Sequence, residues 1–413
     1  MKFDNIIIGG GLSGLTCGIK LAMAGKKTAI ISAGQGSLHF SSGSIDLLGY
    51  DAQGNVVEQP LEAIKDIEST HPYAKIGVER VGLLAKETQQ ILNDAGIKFQ
   101  GDYEKNHFRL TPLGMLKPAW LTLSEYATAV QLTELDWKEV AIINICGFVD
   151  LPIDFLKRGL ENLGTKCNVI PLRLTSAKER RNSPSEVRAT NLGKMFETQE
   201  AFDELIEKLK ELDIHEEVVL IPAVVGLNEN KADIIQREIG KRVRLVATLP
   251  PSLGGVRIQT LLRRRFTSLG GIFLNGDVVN GGVIKDGKLL NVKTNNLPDE
   301  ELVADHYVLA TGSFKSRGLV SNYNKVSEPI FNLDIDALAE RKDWTKDNVF
   351  EAQPYWSFGV ATDNHFNVKK EGHVLSNFYA IGSVLSGHNA IKQGDGTGVS
   401  VISAMAAADN ILK

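Results

Sequence analysis

Cysteine is scarce: Cys17, Cys146 and Cys167 are the only three in 413 residues, widely separated and without a CxxC pair. Three thiolates fall short of a four-cysteine zinc site or an iron–sulfur cluster within one chain. An odd, sparse count also fits a reducing compartment better than a disulfide framework. No HExxH, calcium-loop or clustered His/Cys spacing occurs, so no metal site is expected. Long apolar runs are missing too, since nothing approaches the roughly 18 residues of a membrane span. At the N-terminus only Lys2 precedes a short apolar run that dissolves into glycines, which does not read as a secretion signal. Charge of one sign is not in excess: 46 basic and 50 acidic side chains leave a formal charge of −4. That balance argues against a general nucleic-acid binder. No GxSxG stands between a strand and a helix, which argues against a serine hydrolase of that design. Neither internal repeats nor low-complexity tracts interrupt the chain.

What is present is an ordinary globular mixture, 43% apolar and 23% charged, long enough for about two or three domains. Residues 3–8 (FDNIII) read as a buried strand, glycines force a turn, Leu12 to Ala24 is helical in pattern, and residues 28–31 form a second strand. A helix is expected over Val78 to Ala95. Apolar runs at Glu139–Cys146, Cys167–Leu172 and Val218–Val225, with the helical DFLKRGLENLG between the first two, suggest a second α/β unit. The charged segment 178–190 reads as a surface loop. Gly254 to Gly271 reads as a basic helix, and the short strands that follow read as a β-meander. The strand His306–Ala310 leads into Thr311 and Gly312. The chain closes as a strand, a glycine-rich loop and an Ala-rich helix.

The chemistry sits in three glycine sites. Gly9, Gly11 and Gly14 form GxGxxG between a strand and a helix. The first glycine permits the turn, the second admits a pyrophosphate to the backbone, and the third allows close helix–strand packing. With Gly10, Leu12 and Ser13 they offer N–H groups and a helix dipole to phosphate. One part is absent: the second strand runs into Ser32, Ala33 and Gly34, where a dinucleotide fold usually carries an acid for the adenosine ribose. Ser32 offers one weaker hydrogen bond there, and FMN, which lacks that ribose, needs no acid. The second site is Thr311 and Gly312 at a strand end. The third is Gly382, Gly394, Gly396, Thr397 and Gly398 around Asp395, where a helix N-terminus suits the pyrimidine of a reduced flavin. A fourth loop, HFSSGSIDLLG (residues 39–49), brings Ser41, Ser42, Gly43 and Ser44 together between His39 and Asp46. It reads equally as a lining for a flavin ring and as an Asp/Ser-capped turn.

This order of motifs resembles the two-dinucleotide-binding-domain flavoproteins, the group that includes the succinate dehydrogenase and fumarate reductase flavoproteins. Within it, FDNIIIGGGLSGL, LHFSSGSIDLL, HPY, TPLG, TLPPS, LATGSF and FYAIGSVLSG make nearly the whole chain similar to the B-subunit family of anaerobic glycerol-3-phosphate dehydrogenases. HFSSGSIDLL with TLPPSLGGVRIQ is far more specific than the glycine fingerprint. The resemblance implies a complex that oxidises sn-glycerol 3-phosphate to dihydroxyacetone phosphate and passes electrons to quinone, with fumarate or nitrate as terminal acceptor. It implies FMN in this chain, with FAD as the alternative. The implied partners are an FAD-containing A subunit and an iron–sulfur membrane protein, the C subunit. It further implies a place at the cytoplasmic face of the membrane, reached through the complex.

The expected architecture is α/β: a Rossmann-like nucleotide-binding domain with a β-meander, and an inserted α/β cap. Residues 1–50, 250–320 and 365–413 are assigned to flavin binding, and 51–249 with 321–364 to a cap or partner-binding domain. Alcohol oxidation needs a base and cations for phosphate. His39 and His388 are the candidate bases, and Arg257, Arg109 and Lys117 the candidate phosphate ligands. For each, a structural or solvated role is the plainer reading. Arg263 to Arg265 read as a partner- or solvent-facing helix side. Two other functions fit the same residues: a stand-alone flavin oxidoreductase on another small anion, or a non-catalytic relay or scaffold subunit.

Overall fold

A computed structural model describes residues 1–179 and 187–413. The opening sequence folds as its periodicity predicts: strand β1 (Lys2–Ile8), helix α1 (Leu12–Met23) and strand β2 (Thr28–Ser32). Then follow α2 (Val78–Asp94) and the antiparallel pair β3 (His107–Leu110) and β4 (Leu116–Ala119). The middle of the chain supplies β5 (Glu139–Ile145), α3 (Ile153–Asn162), β6 (Lys166–Leu172), β7 (Val218–Pro222) and β8 (Arg242–Val246). The last third runs through α4 (Leu253–Ser268), β9 (Ile272–Asn275), β10 (Val279–Lys285), β11 (Lys288–Thr294) and β12 (Val303–Leu309). It ends with β13 (Asn367–Lys370), β14 (His373–Ala380) and α5 (Gly396–Leu412).

Two main sheets hold the remaining strands, while β3–β4 and β10–β11 pair separately. The larger has the order β9-β2-β1-β12-β14-β13, parallel except for the edge strand β13. Strand order reverses beside β1, with β2 on one side and β12 on the other. Such a switch point opens a crevice at the carboxyl ends of the strands. The smaller sheet, β6-β5-β7-β8, is parallel throughout. Strands of the larger sheet come from residues 2–32, 272–309 and 367–380, and those of the smaller from residues 139–246. Their interior strands are largely buried on both faces, so runs such as III (residues 6–8) and VVLI (218–221) replace alternation. Of the expected β-meander, only β10 and β11 pair as a hairpin. β9 instead joins β2 in parallel, because α4 carries the chain back across the sheet and delivers it in that direction. The charged segment expected as a loop lies largely outside the described residues, and helices Thr175–Glu179 and Ala189–Met195 flank it.

Glycine lets the helices approach the sheet. A Cβ on Gly18 of α1 would stand 2.8 Å from Ile30 and 3.0 Å from Phe266 of α4. α5 is buried almost all round, as its small residues permit, and packs against α1 and α2. Lys20 of α1 is buried and reaches Glu87 of α2 at 2.9 Å and also Asp409 of α5, tying the three helices together. At the N-terminus of α4, a Cβ on Gly255 would fall 1.7 Å from the carbonyl oxygen of Leu38. Gly255→Ala is therefore expected to cost about 1–3 kcal/mol of stability by overpacking, read as a lower urea midpoint. An unchanged midpoint would show that the Leu38 backbone can withdraw freely.

Candidate functional site

The three glycine sites converge at the switch point. Gly9 has φ +121°, and a Cβ there would lie 2.2 Å from the carbonyl oxygen of Ala310, immediately before Thr311. A Cβ on Gly14 would lie 1.9 Å from the carbonyl oxygen of Gly9. Gly382 (φ +74°) sits against Ser13, and its N–H donates to Ser403 of α5. Gly312 also has a positive φ, +80°. Ends of β1, β12 and β14 thus meet within one short arc. Gly11, by contrast, faces open space, with no atom within 4 Å of a Cβ position. It is the N-cap of α1 and makes no side-chain cap, so the N–H groups of Leu12, Ser13 and Gly14 have no partner among the described residues. An open approach beside uncapped N–H groups fits a phosphate. The Thr311 hydroxyl is also buried without a partner, in the residue whose backbone Gly9 approaches.

Ser32 is buried, and its hydroxyl donates to the Gly34 carbonyl at 3.1 Å. Its main-chain oxygen accepts from Gly276 and Asp277. Asp277 is a buried carboxylate near the end of β2 that the sequence did not single out. It accepts from the N–H groups of Val278 and Asn296, which commits it to its own turn.

The Ser/Gly loop spans two helix N-termini. At one end Leu38 and Ser41 press on Gly255, and Gly43 on Gly254. At the other, the Asp46 N–H donates to Thr397 Oγ1 at 2.7 Å, and Gly49 and Tyr50 both donate to the Gln393 carbonyl. Within the loop, Ser42 and Ser44 share a 2.8 Å hydrogen bond and Ser41 accepts from the Gly43 N–H. Gly394, at φ +57°, ends the one-turn helix Ala390–Gln393 and packs on Tyr50. Gly398 is closed in by Asp46 and Tyr73, and Gly396 by Ala390.

Asp395 heads α5 but does not cap it. Its side chain makes no cap hydrogen bond, and the first turn's N–H groups, from Gly396 to Gly398, have no partner among the described residues. The carboxylate turns instead to two buried histidines. Oδ2 lies 2.8 Å from His71 Nε2 and Oδ1 lies 3.5 Å from His388 Nδ1. Burial alone would raise Asp395, but His388 and His71 more than offset it and hold the carboxyl well below the ordinary carboxylate range. Burial likewise lowers His71, against the pull of Asp395.

The candidate residues separate into groups. His39 sits half-buried beside Gln259, whose amide donates to the Gly10 carbonyl, so it belongs to the α1 end. Burial lowers its pKa. His388 belongs to the α5 end, and no hydrogen bond among the described residues links the two histidines. Arg257 is corrected: it is buried, paired with Glu125, and donates to the carbonyls of Gly226 and Glu229. With those donors committed, it ties α4 to the middle of the chain and is not free to grip a phosphate. Arg109 and Lys117 face each other across β3 and β4. Arg109 Nε is 3.9 Å from Asp46 Oδ1, and both atoms are buried without a hydrogen-bond partner. Burial raises Asp46, while Arg109 and Lys117 pull it down. Sequence reasoning missed His71, which it met only as part of HPY. The one available signal was His before Pro, a helix start: His71 Nδ1 indeed accepts from the Tyr73 N–H.

Uncapped N–H groups at two helix starts, a glycine crevice at a switch point and a small-residue loop define a nucleotide-binding flavoprotein. The family described as FAD binding domain matches residues 4–399. The B subunit of anaerobic glycerol-3-phosphate dehydrogenase from Yersinia pseudotuberculosis is 42% identical over 417 residues, covering 100% of this chain and 98% of the relative. The Pectobacterium atrosepticum protein of the same name is 37% identical, covering 100% and 99%. The chain belongs to this B-subunit family, a family of oxidoreductase flavoproteins. Among solved structures, the 3-ketosteroid Δ1-dehydrogenase of Sterolibacterium denitrificans aligns with 99% of both chains at 10% identity, with a TM-score of 0.45. No helix among the described residues is long and apolar enough to cross a membrane.

His107, beside Arg109, gives a pH test of this region. Burial, reinforced by Arg109, lowers its pKa to about 4. The unfolded chain, with a histidine near 6.5, takes the proton first as pH falls. The stability this group contributes is therefore complete above about pH 6.5 and lost on the way down towards the folded value. Between about pH 7 and about pH 5, wild type is expected to lose roughly 2 kcal/mol more than His107→Gln. Equal losses in urea melts would show that His107 titrates normally in the fold.

Proposed function

We propose that this chain is the flavin-carrying B subunit of an anaerobic glycerol-3-phosphate dehydrogenase complex. Its reaction within the complex is oxidation of sn-glycerol 3-phosphate to dihydroxyacetone phosphate. Electrons leave for a quinone, and beyond it for fumarate or nitrate. The observation that carries this reading is the meeting of a Ser/Gly loop, an uncapped helix start, a histidine and two cations at the N-terminus of α5. An FAD-containing A subunit and an iron–sulfur C subunit complete the assembly at the cytoplasmic face of the membrane. With three scattered cysteines, this chain relies on another for iron–sulfur wiring. Residues 1–50, 250–320 and 365–413 form the flavin-binding part, and 51–249 with 321–364 the cap.

FAD is the proposed cofactor, in place of the FMN expected from the sequence. The family match and the open approach at Gly11 support a dinucleotide, while the missing acid after β2 favours FMN. Leu12, Ser13 and Gly14 would hold phosphate through their N–H groups. Thr311, Gly312 and Gly382 would line the crevice. Gly396, Thr397 and Gly398 would turn their N–H groups to the pyrimidine, where negative charge develops on reduction. The chemistry supplied by a bound flavin is acceptance of a hydride from the carbon bearing the hydroxyl. His388 Nε2 takes the hydroxyl proton as that carbon becomes a carbonyl. Arg109 and Lys117 hold the phosphate dianion as bidentate and point-charge donors respectively.

Acid release of the nucleotide from flavin-loaded protein, identified by mass spectrometry, tests the reading. FAD at one per chain is expected. FMN would move the site to a mononucleotide, and no flavin in folded protein would favour a scaffold role. Gly11→Val is expected to fold normally, because the added side chain enters open space, yet to lose flavin. Normal flavin content in that variant would remove α1 from the binding site.

A further inference from the structure

The carboxylate of Asp395 stands between two imidazoles, and all three side chains are 4% exposed or less. The His71 end is fixed by its hydrogen bonds. His71 Nδ1 accepts from the Tyr73 N–H at 3.0 Å, so in neutral His71 the proton resides on Nε2 and is donated to Asp395 Oδ2. The His388 end is open. His388 Nδ1 and Asp395 Oδ1 face each other at 3.5 Å, and both are buried without any other hydrogen-bond partner. A buried acceptor and a buried donor site left unpaired are each costly, and bonds of this kind in ligand-free sites are often long and close in the working complex. The rings of His71 and His388 are 6.0 Å apart in an edge arrangement, so one carboxylate can serve both.

The two facing, unpaired atoms point to the state of the second nitrogen. An ionised carboxylate only accepts, so the arrangement that satisfies both atoms puts the His388 proton on Nδ1. Its Nε2, which has no partner among the described residues, is then an acceptor. We infer that Asp395, anchored by His71, is a positioning residue that holds His388 in the Nδ1–H tautomer and leaves Nε2 to take the substrate's hydroxyl proton. This rests on the proposed function for the identity of the proton donor. The tautomer itself does not depend on it. Diverting Asp395 to the histidines also leaves the first turn of α5 uncapped, so one side chain serves the base and frees the N–H groups beside it. Other titratable groups around the carboxylate are Asp46, Tyr73 and, near His71, Glu68.

The test uses the full flavin-loaded chain with ¹⁵N-labelled histidine, its His388 signals identified by their loss in His388→Gln. Long-range ¹H–¹⁵N correlation at alkaline pH reads the tautomer directly. Wild type is expected as Nδ1–H, and Asp395→Asn as the Nε2–H form that a free imidazole prefers. In the reconstituted complex Asp395→Asn is expected to lower kcat by about 10²-fold or more, with Asp395→Glu recovering part of the loss. A wild-type His388 found as Nε2–H overturns the inference, and so does an Asp395→Asn spectrum matching wild type. Wild-type kcat in a variant whose tautomer has switched overturns it as well. If the wild-type complex does not oxidise glycerol 3-phosphate while the tautomer responds as expected, the proposed function fails and the positioning role stands.

Discussion

The structure depends on a backbone contact that no side chain could survive. Where β1 ends, Gly9 passes so close to Ala310 and Thr311 that a Cβ would overlap the carbonyl, and Gly14 seats α1 directly on the Gly9 oxygen. These approaches bring the ends of β1 and β12 together at the point where strand order reverses. They also aim the start of α1 into the resulting crevice. Gly382 adds the end of β14 to the same arc through Ser13. The proposed contacts at α1, Thr311, Gly312 and Gly382 all depend on this arrangement.

A second constraint sets the other end of the crevice. The loop from Leu38 to Gly49 is held at both ends by glycines on helix starts, Gly254 and Gly255 on α4, Gly398 on α5. Its backbone replaces side chains that would otherwise fill those gaps. This contact gives a physical reason why HFSSGSIDLL and PSLGGV, more than 200 residues apart, act as one unit. α4 is in turn anchored to the middle of the chain through Arg257 and Glu125. The middle segment is therefore tied to the helix on whose start this loop packs.

Electrostatics at the α5 end follows from the same packing. Asp395 is buried at a helix N-terminus, where the dipole favours a negative charge, and two histidines supply its hydrogen-bonding surroundings. Asp46 is the opposite case: burial raises it while Arg109 and Lys117 work to keep it ionised. Two carboxylates in one neighbourhood are thus driven apart in pKa by their surroundings. That separation is a common feature of sites that move protons.

The opening strand–helix–strand unit, the buried runs at 139–146 and 218–225, and the flavin class of cofactor were legible in the sequence, whereas the helix Gln199–Lys210 and the strand Arg242–Val246 were not. Unbroken apolar runs such as residues 6–8 and 218–221, bounded by turn residues or charges, read as strands buried on both faces, and GxGxxG between strand and helix has a local meaning. The loop 39–49 likewise stood out as unusual by its residues alone. Side chains whose partners are distant in the chain took their roles from tertiary packing. Arg257 looked like a free cation until Glu125, 132 positions away, was found against it. His71 drew no reading of its own from the sequence, because the Asp395 carboxylate that lies against its Nε2 is 324 positions on. β9 read as part of a meander because short strands look alike locally, and its partner β2 was fixed by the helical crossover. Local patterns specify conformation through sterics and burial, whereas hydrogen bonds and ion pairs are specified by atoms that only folding brings within reach.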